Sequence, residues 1–358
     1  MSQNKQPFQL KQHTPIIHFQ YEQNGATLRA TELKPKFDDY LEKMDSSLPF
    51  KEHHNNQKSL DYKVKIISKG NKTIEFEKYP PLYFGNQRGS KPKQKVIGSD
   101  VTIEFFSFSK QILEAIEEHF EAFLANTNFG TRQSKGYGCF YIKDKPFDAS
   151  LIDKTEFTKV YAFDSTKNSY EKDIKDFYRL MRSGINEIGT NKTNVFYAKS
   201  LLFMYFEKKG IIWDKKAVKM HFINKEESTT NQYIIRDLLG LSSFQNWKHY
   251  GFNVSKSNRN ISRFKSPIIF KPIFKGDKVK VYFWAKKFDS KHLMLNQPFR
   301  ISGRGSFTIK TPARFDIEDF LEFVYKIDLK DVVDKKFLSA SRFFIPLQNL
   351  FKSRKVVS

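Results

Sequence analysis

Residues 109–142 restrict the fold more tightly than any other stretch of the 358. Ser109 stands where an N-cap belongs, and Ile112, Leu113, Ile116, Phe120, Phe123 and Leu124 recur at helical spacing along one stripe. Glu114, Glu117, Glu118 and Glu121 lie off that stripe, so the spacing predicts a helix with one face in a core and an acidic face to water. It runs into "NTNFGTRQSKGYGCF", 126–140, a bend holding three glycines, and leaves as "CFYI", an apolar strand. A half-apolar helix returned to a strand in this way must cover its stripe with the sheet that the strand joins.

The preceding residues supply the rest of that sheet. "QHTPIIHF", 12–19, predicts a first strand, with Pro15 pushing its start toward an edge. Gly25 can make the turn into a helix carrying Leu28, Leu33, Phe37, Tyr40 and Leu41, interrupted near Lys34 because Pro35 disfavours helical geometry in the residue before it. "LDYKVKIIS" alternates, with Leu60, Tyr62, Val64 and Ile66 facing one way and Asp61, Lys63 and Lys65 the other. "KTIEFEKYPPLYF" predicts a strand ended by Pro80 and Pro81, "GNQRGSKPKQK" (85–95) a basic loop, and "DVTIEFFSFS" a further strand. This order predicts an α+β class for residues 1–149: a ferredoxin-like (RRM-like) antiparallel sheet, helices on one face, and a glycine-rich loop at 128–138.

From 150 to 358 the pattern turns more helical. "YEKDIKDFYRLMRSGI", "FYAKSLLFMYFEKKG", "NQYIIRDLLGL" and "DIEDFLEFVYKI" all read as helices, the last capped by Asp316 or a neighbour. The basic loop "SNRNISRFKSP", 257–267, leads into the strands "IIFKPIF" and "KVKVYFWAKK", a basic hairpin. This domain can be read as a degenerate second copy of the first decorated with helices, although the sequence shows no clean repeat.

Charge gives the first functional constraint. The sequence holds 62 Lys and Arg against 39 Asp and Glu, a net +23, alongside 37 Phe and 16 Tyr. That excess points to a polyanion, with nucleic acid ahead of a surface that is merely lysine-rich. The single cysteine, Cys139, excludes an intrachain disulfide framework and a multi-cysteine zinc site. There is no apolar run of about 18 residues, and "MSQNKQPFQL" lacks the apolar core of a signal peptide, so a cytoplasmic protein without a membrane partner is expected.

The bend at 126–140 is not a familiar nucleotide loop. G-x-x-x-x-G-K-[ST] is absent, and Gly136-Tyr137-Gly138 opens a strand rather than a helix. Glycine lets a backbone or a phosphate approach closely, Arg132 and Lys135 carry charge, and Tyr137 offers a stacking face. The plain alternative is a glycine-rich turn with incidental charge.

The spacing Phe129-Gly130, five residues with Arg132 and Lys135, then Gly136-Tyr137-Gly138 resembles the glycine loop of the RAMP superfamily of CRISPR-associated RNA-binding proteins. Asn128 stands where that family usually has a glycine. "TPIIHFQYEQNGATLRATELKPKF" is similar to the opening of the backbone-type subunits of type III (Cmr/Csm-type) effectors, and "ISRFKSPIIFKPI" to a segment of a RAMP subunit of the Cmr-type effector. The resemblance implies a ribonucleoprotein subunit for antiviral defence that grips CRISPR RNA, or its duplex with target RNA, beside other effector subunits. It places Asn128, Gly130, Gly136 and Gly138 at close backbone approach, Arg132 and Lys135 on phosphates, and Arg29 and Lys34 nearby. Local charge alone adds Arg88, Lys91, Lys93, Arg259, Arg263 and Lys265.

Some RAMP relatives cut precursor CRISPR RNA without metal, so a metal-independent endoribonuclease is the first alternative. His18 is the candidate general base among the eight histidines. Some 220 residues follow the bend, whereas in the processing nucleases the glycine loop lies near the chain's end. A basic RNA-binding scaffold unrelated to CRISPR is the second alternative. Asp38–Asp39 and the group Asp316, Glu318, Asp319 read as helix-terminal carboxylates, and neither metal nor cofactor is expected.

Overall fold

A computed structural model describes residues 4–17, 27–54, 57–74, 95–98, 100–189, 193–224, 232–247 and 251–357. The chain divides into two compact units. The first takes in Met1–Thr155 and Phe270–Tyr282, the second Glu156–Ile269 and Phe283–Val357. Both mix helices with antiparallel strands, an α+β architecture. No described helix is long and apolar enough to cross a membrane.

In the first unit, β1 (Lys5–Gln12) leads to α1 (Ala30–Met44), β2 (Lys63–Lys69), β3 (Asp100–Phe106), α2 (Lys110–Asn126) and β4 (Phe140–Ile142). The four strands form one antiparallel sheet in the order β2-β3-β1-β4. The first strand therefore starts well before the expected Gln12. Its inward alternation is shallow, with only Phe8 and Leu10 as large apolar groups, and Pro7 lies inside it. The proline is tolerated because Lys143 N–H donates to the Gln9 carbonyl, which puts odd-numbered backbone groups on the β4 side, and β4 pairs only from Leu10 to Gln12.

α1 also departs from expectation, running unbroken through Pro35. Its buried residues are Leu33, Phe37, Asp38 and Leu41, and this packed face outweighs the loss of one backbone donor. α2 follows its sequence closely: the Ser109 side chain accepts from Ile112 N–H, and all six stripe residues are buried. Phe37 meets Phe123 at 4.8 Å between centroids, Phe105 meets Phe120 at 5.0 Å, and Phe8 meets Phe120 at 4.5 Å. The helices thus cover one face of the sheet with an aromatic core, each fully buried Phe contributing roughly 1.5–3 kcal/mol. Of the strand expected from Lys72 and ended by Pro80 and Pro81, the described part is Lys72–Ile74, paired with Lys95–Ile97.

The second unit opens with β5 (Tyr161–Thr166), α3 (Tyr170–Arg182), β6 (Ile185–Ile188), β7 (Asn194–Ala198), α4 (Leu201–Glu207) and α5 (Asp214–Lys219). The helix expected from Phe196 begins only at Leu201. Phe196 is buried between the exposed Val195 and Tyr197, a two-residue period, so this run pairs with β6, and Ser200 then caps α4. "IIRDLLG" makes a single 3₁₀ turn, Arg236–Leu239, rather than a longer helix. There Asp237 is buried against Lys256 Nζ at 2.5 Å and Arg182 at 3.2 Å. Burial pushes its carboxyl up, but the Lys256 and Arg182 charges outweigh that and hold it below the usual carboxylate range.

β8 (Phe244–Trp247), β9 (Phe252–Ser257), β12 (Pro298–Ser302) and β13 (Ser306–Lys310) form a second antiparallel sheet in that order. Between β9 and β12 the chain makes β10 (Ile268–Lys275) and β11 (Lys278–Ala285), whose distal part, residues 270–282, belongs to the first unit. α6 (Ile317–Lys326), capped by Asp316, α7 (Leu329–Val332) and α8 (Ser341–Ser353) close the unit, and β14 (Lys355–Val356) pairs with β5.

Candidate nucleic-acid interface

The bend between α2 and β4 is held from three directions. From the end of β1, the Thr14 hydroxyl donates to Gly136 O at 2.6 Å and accepts from Cys139 N–H at 2.9 Å. Gly138 N–H donates to Pro15 O at 2.8 Å and Thr131 N–H to Ile17 O at 2.6 Å. From α1, Glu32 Oε1 accepts from Gly130 N–H at 2.8 Å, while Lys36 pairs with Glu32 and reaches Asn128 O at 3.3 Å. From the hairpin, Asn128 Nδ2 donates to Phe270 O at 2.9 Å. The Lys271 ammonium donates to Leu124 O at 2.6 Å, Thr127 O at 2.9 Å and Asn128 Oδ1 at 3.3 Å. Asn128 also donates to Gln133 O at 2.8 Å, closing the bend on itself.

These bonds explain the glycines. Gly130 has φ +77°, and a Cβ there would lie 2.6 Å from Ile17 O. Gly138 has φ +66°, and a Cβ there would lie 1.9 Å from Phe129 O. At both positions the close approach is to the protein's own backbone. Gly136 and Tyr137 are buried as well, whereas residues 130–135 are half-buried. Arg132 takes a left-handed φ of 60°, and its two terminal guanidinium nitrogens and the Lys135 ammonium nitrogen are buried.

The other expected residues divide into groups. Arg29 is half-buried at the N-cap of α1. Lys34 packs inside the unit, bonding Asp38 at 2.9 Å and Leu60 O at 2.8 Å, 3.6 Å from the Tyr62 ring centroid. Arg259, Arg263 and Lys265 are exposed in the second unit, in the loop before β10. His18, Arg88, Lys91 and Lys93 lie outside the described residues. Sequence reasoning missed Thr14, Glu32, Lys36 and Lys271, although all four lie inside the quoted motifs, because nothing in their local pattern tells which distant backbone group each one bonds.

His13 is buried, its Nδ1 accepting from Phe274 N–H at 2.9 Å. Burial first, then the Lys11 and Lys271 charges, lower its pKa to about 3. Cys139 is buried and its thiol is pushed up by that burial, against a smaller opposing effect of Lys271, so it is poorly placed as a nucleophile. Among the described residues no group of His, Cys, Asp and Glu gathers as a metal ion would require.

No curated protein sequence matches the chain. It is similar to the crystal structure of Cmr1 from Pyrococcus furiosus in its apo form, with a TM-score of 0.42 at 10% identity over 89% of this chain and 95% of that one. Two family models match, the Cmr1 N-terminal domain over residues 3–185 and the Cmr1 C-terminal domain over residues 197–343. With both matches in sequence order and together spanning most of its length, the chain belongs to the Cmr1 family, subunits of type III CRISPR effector complexes.

Proposed function

We propose that this chain binds CRISPR RNA, or its duplex with target RNA, within a type III effector, and is non-catalytic by itself. The strand order β2-β3-β1-β4, with a helix after the first and third strands in sequence, supports a ferredoxin-like reading of the first unit. The observation that carries the functional reading is the bend: bonds from β1, α1 and the hairpin fix residues 130–135 in one half-buried conformation with Arg132 and Lys135 upon it. A grip prepared in this way orders no loop when the nucleotide chain arrives.

Phosphates meet the bend along this half-buried stretch, and Arg132 and Lys135 reach them by turning their charged ends outward. Asn128, Gly130, Gly136 and Gly138 set the backbone path, with Tyr137 packed beneath it. The exposed Arg259, Arg263 and Lys265 can meet further phosphates directly, whereas Lys34 must first leave Asp38.

The double variant Arg132→Ala, Lys135→Ala is expected to weaken binding of unrelated RNA sequences equally. It should lower the slope of log affinity against log salt by about 0.7 for each lost contact, roughly 1.4 in all. Filter binding over a salt series reads both quantities. A lowered melting temperature with an unchanged slope would show that the two cations act only as internal struts.

A further inference from the structure

The helices cover one face of the first unit's sheet; on the other, β1, β2 and β3 expose described residues, while Tyr141 at the β4 edge is buried beside Phe147. On that second face β2 places Lys63, Lys65, Ile67 and Lys69, all exposed, and β1 places Lys5, Pro7, Gln9 and Lys11, also exposed. β3 between them contributes Phe106, Glu104, Thr102 and Asp100. The register sets Phe106 opposite both Lys63 and Lys5, a lysine on each side of one ring. Phe108, just beyond the strand, is 85% exposed and stands edge-on to Phe106 at 5.0 Å.

We propose that this exposed sheet face is a second binding surface, separate from the bend, and that its ligand is single-stranded nucleic acid. Among the described residues its lysines Lys5, Lys63, Lys65, Lys69 and, from the β4 edge, Lys143 outnumber two carboxylates, each already paired: Glu104 with Lys5 at 3.0 Å and Asp100 with Lys143 at 3.2 Å; Lys11 donates to Phe274 O at 3.0 Å. Among the described residues Lys63 and Lys65 form no ion pair. Every second residue of a strand repeats at about 7 Å, so the β2 lysines make a straight cationic row that an extended phosphate chain can follow.

The aromatic pair at one end of that row gives bases a stacking surface, and rings set among cations are the recurring design of single-strand platforms. At 85% exposure the Phe108 ring is accessible to a base. A protein partner fits less well. Between the cationic ends the described residues of the face are Pro7, Gln9, Thr102 and Ile67, too little apolar area for an interface core, and lysine is depleted at such cores.

The test measures fluorescence anisotropy of the full chain with a short labelled oligouridylate and with oligodeoxythymidylate. Lys63→Glu with Lys65→Glu, and separately Phe108→Ala, are each expected to weaken binding of both probes by about 10-fold. Lys335→Glu with Lys336→Glu, which makes the same change of net charge on exposed residues of the second unit, should cost at most about 2-fold. In the unmutated chain, photocrosslinking with 4-thiouridine should place adducts on Phe106 or Phe108.

No binding by the unmutated chain, or a loss no larger than the control's, overturns the inference. So does a face variant that keeps full oligonucleotide affinity but no longer assembles with other effector subunits, because the face is then a protein dock. The exposed face does not depend on the bend. If the face variants bind normally and the Arg132, Lys135 double variant does not, the proposed function stands and this surface falls; with the converse pattern this surface stands and the bend falls as the grip.

Discussion

Gly138 shows at the scale of one residue what the bend demands. Its φ of +66° already disfavours a side chain, and a Cβ would overlap the Phe129 carbonyl oxygen. Gly210 has nearly the same φ, +71°, with nothing within 4 Å of the added carbon. Gly210→Ala should therefore cost about 1 kcal/mol from backbone strain alone, and Gly138→Ala more than about 3 kcal/mol, as read by urea denaturation. Equal costs would mean that the bend yields easily. The sequence made the glycines legible as a special backbone but not their neighbour. Whether the vacant volume holds a phosphate or the chain's own carbonyl depends on contacts such as Gly130 with Ile17, more than a hundred residues away.

At the scale of elements, the legible parts are those whose signal is local. α2 has a capping serine and an apolar stripe contained in its own residues, and both expectations match the structure. The first strand, expected over 12–19, forms at Lys5–Gln12, where few large apolar residues mark it, and α1 is expected to break near Lys34 because proline is a strong local signal. Pro7 and Pro35 are nonetheless accommodated where a missing donor costs little or where Phe37 and Leu41 pack well.

Lys271 was illegible, since it joins the end of α2 across 147 residues of sequence. Burial lowers its ammonium pKa, yet its three oxygen acceptors make it the cap of that helix. Lys271→Met keeps most of the volume and leaves the Leu124 and Thr127 carbonyls without this donor. The expected loss is about 2–4 kcal/mol. Hydrogen exchange should show the last turn of α2 losing protection while the first turn, capped by Ser109, retains it. Uniform loss along the helix would contradict the capping role.

For the whole molecule, His13 ties stability to pH. Its folded pKa of about 3 lies below the ordinary 6.5, so the folded state keeps the ring neutral. This contribution is complete above pH 6.5 and is lost as the pH falls toward 3, by about 1.4 kcal/mol per unit. The +23 charge adds repulsion in acid as well, but that burden is shared by a His13→Asn variant, whose amide oxygen can still accept from Phe274 N–H. Denaturant titrations between pH 7 and about 4 should therefore show a shallower decline for the variant, and parallel curves would rule out His13 as the source.

The hairpin that carries Lys271 and Phe274 has a consequence for synthesis. The first unit takes its last internal piece from residues 270–282, so on a ribosome working at roughly 5–20 residues per second its sheet and helices emerge several seconds or more before the lysine that stoppers α2 and the amide that meets His13. Until then the nascent domain waits with its glycine bend unbraced on one side, exposed to chaperones and proteases, and its maturation is timed by the second domain's translation rather than by its own.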